Sequence, residues 1–133
     1  VGHYSCRSMT GNCAALAKLA DEPGYAQINT ADARRLGIDD EALVWVNSRK
    51  GRVITRAKVS DRPNPGAVYM TYQWWIGACN ELTQDNLDPV SKTPETKYCA
   101  VRVSAIDDQP WAEAWAQSSY QQMKTRLKEA ASA

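Results

Sequence analysis

The stretch from Leu43 to Val59 constrains the fold of this chain more than any other. Leu43-Val44-Trp45-Val46-Asn47-Ser48 is β-branched and aromatic, a composition that fits a pleated strand. Arg49-Lys50-Gly51 supplies a hairpin turn. Beyond it, Val53, Thr55, Ala57 and Val59 alternate with Ile54, Arg56 and Lys58. That is period-2 alternation, a strand with one wet side. A chain with this hairpin at its centre is built around a β-sheet.

The flanking segments extend the pattern. Tyr25-Ala26-Gln27-Ile28 reads as a short strand. Thr30 is expected to cap a brief helix to Leu36, with Asp32 in its first turn and Gly37 closing it. Pro63-Asn64-Pro65-Gly66 is turn chemistry, followed by strands at Ala67–Tyr72 and Cys99–Val103. Ser8 to Ala20 carries Cys13, Leu16 and Leu19 at helix-like spacing, interrupted by Gly11. Near the end, Asp108 or Gln109 caps a helix over 110–131, with Pro110 at its first position. Its expected apolar stripe is Trp111, Trp115, Tyr120, Met123 and Leu127. The pattern predicts one mainly β domain over 1–133, barrel-like, with short helices and a C-terminal α-helix.

Composition excludes several functions. With 16 basic and 15 acidic side chains the net charge is +1, so the basic excess of a nucleic-acid binder is missing. No apolar run approaches the roughly 20 residues of a membrane span, and no signal peptide is visible. Val1-Gly2-His3-Tyr4 is dense in polar chemistry and lacks a start methionine, which reads as a C-terminal fragment of a larger chain. Cys6, Cys13, Cys79 and Cys99 form no C-x-x-C, and His3 is the sole histidine. Zinc binding and a disulfide framework are therefore rejected in favour of reduced thiols in a cytoplasmic fold.

Catalytic constellations are also missing. His3 and Ser5 lie close in sequence without a third partner, so they make no triad. Asp39-Asp40 and Asp107-Asp108 sit beside turns, where capping is the expected role. No catalytic residue and no metal ligand is assigned. Ligand binding fits better. A long polar connection carries Asn80-Glu81-Leu82-Thr83 and Asp88-Pro89-Val90-Ser91 before Lys97-Tyr98-Cys99. Loops of that length inside a compact domain are commonly functional. Gly2 to Arg7, Tyr72 to Trp75, Asn80 to Thr83 and Thr96-Lys97 all place polar groups near strand ends.

In order along the chain stand G-H-Y-S-C-R-S-M-T, I-N-T-A-D-A-R-R-L-G-I, V-W-V-N-S-R-K-G-R-V-I-T-R-A-K-V, a strand ending M-T-Y, then N-E-L-T, D-P-V-S and K-Y-C-A-V. This series resembles the C-terminal molybdopterin dinucleotide-binding domain of molybdenum and tungsten oxidoreductases. Within that family, Y-Q-W-W-I-G-A-C-N-E-L-T is similar to the formate dehydrogenases, those of enterobacterial formate hydrogenlyase in particular.

The resemblance implies a double-psi β-barrel that helps to bind bis(molybdopterin guanine dinucleotide) carrying molybdenum or tungsten. It implies cofactor contacts from Gly2, His3, Tyr4, Ser5, Arg7, Tyr72, Asn80, Thr96 and Lys97. It places an iron–sulfur cluster in the rest of the parent chain, with electron-transfer subunits as partners. The parent would oxidise formate to carbon dioxide, while the fragment alone would be inactive. A sister enzyme such as a nitrate reductase is the alternative. A second is a stand-alone β-barrel interaction module that uses the Tyr72–Trp75 cluster. The connection from Trp75 to Thr96 and the first residues are expected to be the least ordered parts.

Overall fold

The computed structural model describes residues 24–72, 74–84, 86–93 and 98–132. Strands β1 (Tyr25–Asn29), β2 (Leu43–Asn47), β3 (Arg52–Ser60), β4 (Val68–Met70) and β5 (Arg102–Ala105) form one sheet in the order β4-β1-β3-β2-β5. The central hairpin pairs β2 with β3 antiparallel, Trp45 opposite Ile54 and Val46 opposite Val53. Its turn is fixed by Ser48, whose N–H donates to the Gly51 carbonyl at 2.8 Å. The Ser48 hydroxyl in turn accepts from the N–H groups of Lys50 and Gly51. Strands β1 and β3 run parallel, whereas β4 and β5 add antiparallel edges.

Strand β5 starts later than the Cys99–Val103 expectation. Arg102 pairs with Asn47, the last residue of β2, so nothing before Arg102 has a neighbour to pair with there. Cys99 and Val101 still pack, partly buried, against the core. The β4 segment likewise contracts from 67–72 to Val68–Met70, because only Ile28 to Ala26 of β1 pairs with it.

Helix α1 spans Thr30–Leu36. Thr30 was expected to cap it, but Asn29 does so. The Asn29 backbone is extended, its Oδ1 accepts the Ala31 N–H at 2.9 Å, and its Nδ2 donates to the Pro63 carbonyl at 2.8 Å. The second bond holds the carboxamide in capping position, so Thr30 enters the first turn. Gly37 ends α1 in the left-handed region at φ 64°, and the following Ile38 N–H returns to the Ala33 carbonyl.

The sheet is buried on both faces. One face gathers Ile28, Val44, Val46, Val53, Ala57 and Val103 with α1 residue Ala33 and the distant Leu82. The other was expected to be wet, yet Ile54 is buried there with Leu43, Ile76 and Ile106. Helix α2, Gln109–Ala131, covers that side. Asp108 is its N-cap, accepting the Trp111 N–H at 2.9 Å. Its fully buried contact with the sheet is made by Ala112 and Ala116. Of the expected stripe, Tyr120 packs partly buried against this cluster and Met123 is half-buried, whereas Trp111, Trp115 and Leu127 are 46%, 38% and 62% exposed. Small residues let the helix approach the sheet, and the larger rings are displaced to its flanks. Burying Ile54 contributes roughly 1.5–3 kcal/mol.

Candidate functional site

Among the residues expected to contact a ligand, Tyr72 and Asn80 are described. Gly2, His3, Tyr4, Ser5, Arg7, Thr96 and Lys97 lie outside the described residues, as does the expected helix from Ser8 to Ala20. Tyr72 and Asn80 stand on one segment, the connection that leaves β4.

That segment is tied to the sheet from its first residue. Thr71 is buried. Its hydroxyl accepts the Tyr25 N–H at 2.9 Å, and its own N–H donates to the Tyr25 carbonyl at 3.0 Å. Gly24 completes the joint, donating to the Ile76 carbonyl and accepting from the Thr55 hydroxyl at 2.6 Å. A Cβ on Gly24 would stand 2.5 Å from Thr71 Oγ1 and 2.8 Å from Trp74 Cγ, so only glycine fits. Gly77, at φ 79°, passes so close to β3 that a Cβ would lie 2.8 Å from Thr55 Oγ1.

Anchoring sorts the side chains. Trp74 and Ile76 are buried, whereas Tyr72 and Trp75 are 41% and 56% exposed. A 3₁₀ turn, Cys79–Leu82, follows. Leu82 is buried in the core and Asn80 is turned outward. The first part of the connection is therefore packed against the sheet. Two glycine contacts and three buried side chains fix it.

The polar chemistry of the turn faces outward. The Asn80 carbonyl accepts from the Thr83 hydroxyl at 3.0 Å. Its side-chain Oδ1 meets only the Cys79 thiol, at 3.9 Å. The amide NH₂ of Asn80 thus has no partner among the described residues. Burial pushes the Cys79 thiol above its ordinary value, and the nearby Cys99 adds to the rise. Cys79 therefore stays a protonated thiol at neutral pH rather than a nucleophile. Both described cysteines are free. Among the described residues no group of three His, Cys, Asp or Glu side chains could hold a metal ion, and no helix is long and apolar enough to cross a membrane.

Sequence reasoning missed one feature. Between the 75–81 segment and α2 runs a groove of about 370 Å³, lined by Val53, Trp75, Glu81, Trp115, Met123 and Arg126 among others. The helical spacing of Trp115, Ser119, Gln122, Met123 and Arg126 carried the signal. This face overlaps the expected stripe at Trp115 and Met123. Neither Tyr72 nor Asn80 lines this groove.

Comparison with known proteins identifies the family. Residues 1–100 match the family model described as "Molydopterin dinucleotide binding domain". The chain is 76% identical over 131 residues to Formate dehydrogenase H of Escherichia coli, covering 98% of the chain and 18% of that enzyme. It is 42% identical over 104 residues to the F420-dependent formate dehydrogenase 2 subunit alpha of Methanococcus maripaludis, covering 78% of the chain and 15% of the relative. It is 36% identical over 103 residues to the Periplasmic nitrate reductase of Desulfovibrio desulfuricans, covering 77% of the chain and 14% of that protein. The chain thus spans less than a fifth of the length of the relatives it matches.

Proposed function

Because this chain belongs to the molybdopterin dinucleotide-binding domains, we propose that it forms part of the cradle for bis(molybdopterin guanine dinucleotide) in a parent formate dehydrogenase. The observation that carries the formate assignment is the 76% identity to Formate dehydrogenase H across 98% of the chain. The nitrate reductase match is weaker, at 36%.

The described residues fit such a ligand. Asn80 presents an amide NH₂ with no partner among the described residues, on a turn anchored by Leu82. Tyr72 offers an exposed ring beside the buried Thr71 clamp. An outward amide and a flat aromatic face on a rigid support suit a pterin or guanine ring. Lys97, Thr96 and the Gly2–Arg7 segment would complete the cradle, with positive charge for the phosphates. We read the sheet as part of a double-psi β-barrel, in keeping with its parallel β1–β3 pair among antiparallel neighbours.

When bound, the cofactor carries the molybdenum or tungsten through which formate would lose two electrons. The work of this domain is to hold and orient it. The metal ligand, an iron–sulfur cluster and the contacts to electron-transfer subunits then belong to the rest of a cytoplasmic parent. The fragment alone does not turn over formate.

The test replaces Asn80 and Lys97 by Ala in the intact parent and measures molybdenum, tungsten and guanine nucleotide. A hydrogen bond to a charged group contributes roughly 1.5–3 kcal/mol and one to a neutral ring about 1 kcal/mol, so bound cofactor should weaken about tenfold or more in Lys97→Ala and about fivefold in Asn80→Ala. Unchanged cofactor content in both variants would overturn the cradle. Reduction of nitrate without oxidation of formate by the wild-type parent would overturn the choice of substrate.

A further inference from the structure

Strand β3 presents Arg52, Arg56 and Lys58 on the face that α2 covers, and the three are treated differently. Arg56 forms a two-pronged ion pair with Glu113, at 2.9 and 3.2 Å. Lys58 meets Glu41 at 3.3 Å. Arg52 has no carboxylate among the described residues; its guanidinium lies over the Trp45 ring, 4.5 Å from the centroid. A guanidinium held over an indole keeps N–H donors that can take a carboxylate.

The sheet register extends the site sideways. Arg52 pairs with Asn47, and Asn47 pairs with Arg102 across the next strand. All three side chains therefore share one face, with the outer two strands roughly 10 Å apart at the spacing of adjacent strands. Arg52 and Arg102 are exposed. Neither Arg102 nor the Asn47 carboxamide has a side-chain partner among the described residues. Trp111 flanks the row, its ring 6.3 Å from that of Trp45 and nearly half exposed. A row of two guanidinium groups and an amide beside two indoles suits acidic side chains flanked by apolar ones. The row stands exposed at the hairpin end of that face, and an open site favours a polypeptide over a small anion that needs enclosure.

We propose that the Arg52–Asn47–Arg102 row docks an acidic segment from another domain of the parent chain. This rests on the parent reading above and adds a surface to it. The positive row meets the carboxylates, while Trp45 and Trp111 cover their stems.

The experiment uses the intact parent carrying Arg52→Lys or Arg102→Lys, treated with a zero-length carbodiimide and read by peptide mass spectrometry. The conservative change keeps the charge and introduces an amine able to form an amide with a touching carboxylate. Lys58 with Glu41 is the internal control, since that pair should link in every sample. The expected result is a new link from position 52 or 102 to an Asp or Glu of the same chain outside these 133 residues. A link only to a separate subunit, a link only within this domain, or no link while the control forms would each overturn the proposal. Cofactor content and formate oxidation are measured on the same samples. A loaded, active parent without the link fails this surface alone. An unloaded parent fails the earlier reading, and the link is scored independently of it.

Discussion

Helices α1 and α2 pack on opposite faces of one sheet and are held by opposite means. Helix α1 has seven residues, too few to persist in isolation, and both its ends are built. Asn29 closes one and Gly37 the other, while Asp32 ties its first turn to Gly66 and Arg35. Helix α2 has 23 residues, about 35 Å of helix, and is fastened at one end. Gln109 brackets Leu43, accepting its N–H and donating to its carbonyl, both at 2.8 Å. Ala112, Glu113 and Ala116 follow within two turns; from Lys124 to Ser132 every residue is exposed. The length of a helix therefore says little about how much of it the domain holds. Termini define the short helix, and contacts in its N-terminal half define the long one.

Removing the Gln109 clamp should have the largest effect. Gln109→Ala deletes both bonds to Leu43 and a third to the Ile106 carbonyl. Leaving buried backbone groups without partners costs about 2–4 kcal/mol in total. Native-state hydrogen exchange of the α2 amides should show that loss while α1 stays protected. Unchanged α2 protection would mean that the alanine contact holds the helix without the clamp. Asn29→Ala strikes the other helix and should cost about 1–2 kcal/mol in α1 protection. Asn29→Asp separates its two jobs, because an aspartate still caps Ala31 but cannot donate to Pro63. Gly37→Ala should cost about 1 kcal/mol, read in the same exchange experiment. A Cβ there meets nothing within 4 Å, so the cost is conformational and not steric.

These particulars show what the sequence made legible. The β2–β3 hairpin, the Gly37 stop and the Asp108-Pro110 start were readable because each is a local signal: alternation, a left-handed cap, a proline at a first turn. Ile54 was misassigned because alternation shows which side chains share a face, not what covers it; its cover arrives from α2, more than fifty residues on. The α2 contact was misread for a related reason. Periodicity weighs large apolar side chains, yet the fully buried places went to Ala112 and Ala116, with Tyr120 of the stripe partly buried beside them. Thr30 lost the cap to Asn29 through a bond to Pro63 that no local rule contains. At the candidate site, the outward position of Asn80 follows from polarity. The groove between Trp75 and Trp115 is tertiary, made by two segments separated by forty residues.

The smallest expected effect is also the sharpest test of how α1 is held. The Asp32 carboxyl lies below its ordinary value of 3.8, chiefly because it accepts the Gly66 N–H, with Arg35 adding a hydrogen bond and its charge. A depressed carboxylate pKa adds stability that is fully present above the unfolded value and is lost as pH falls through the folded one. Protection of α1 should therefore be flat down to about pH 5 and then decline as the solution passes below the ordinary carboxylate range. Asp32→Asn should abolish that decline in α1. Asp88 is depressed too, by the N–H groups and hydroxyl of its own turn at Val90 and Ser91, so the whole chain keeps an acid dependence in the variant. If α1 in Asp32→Asn still lost protection over the same interval, its acid sensitivity would come from the sheet beneath it, and the short helix would owe less to its own termini than to β1 and β3.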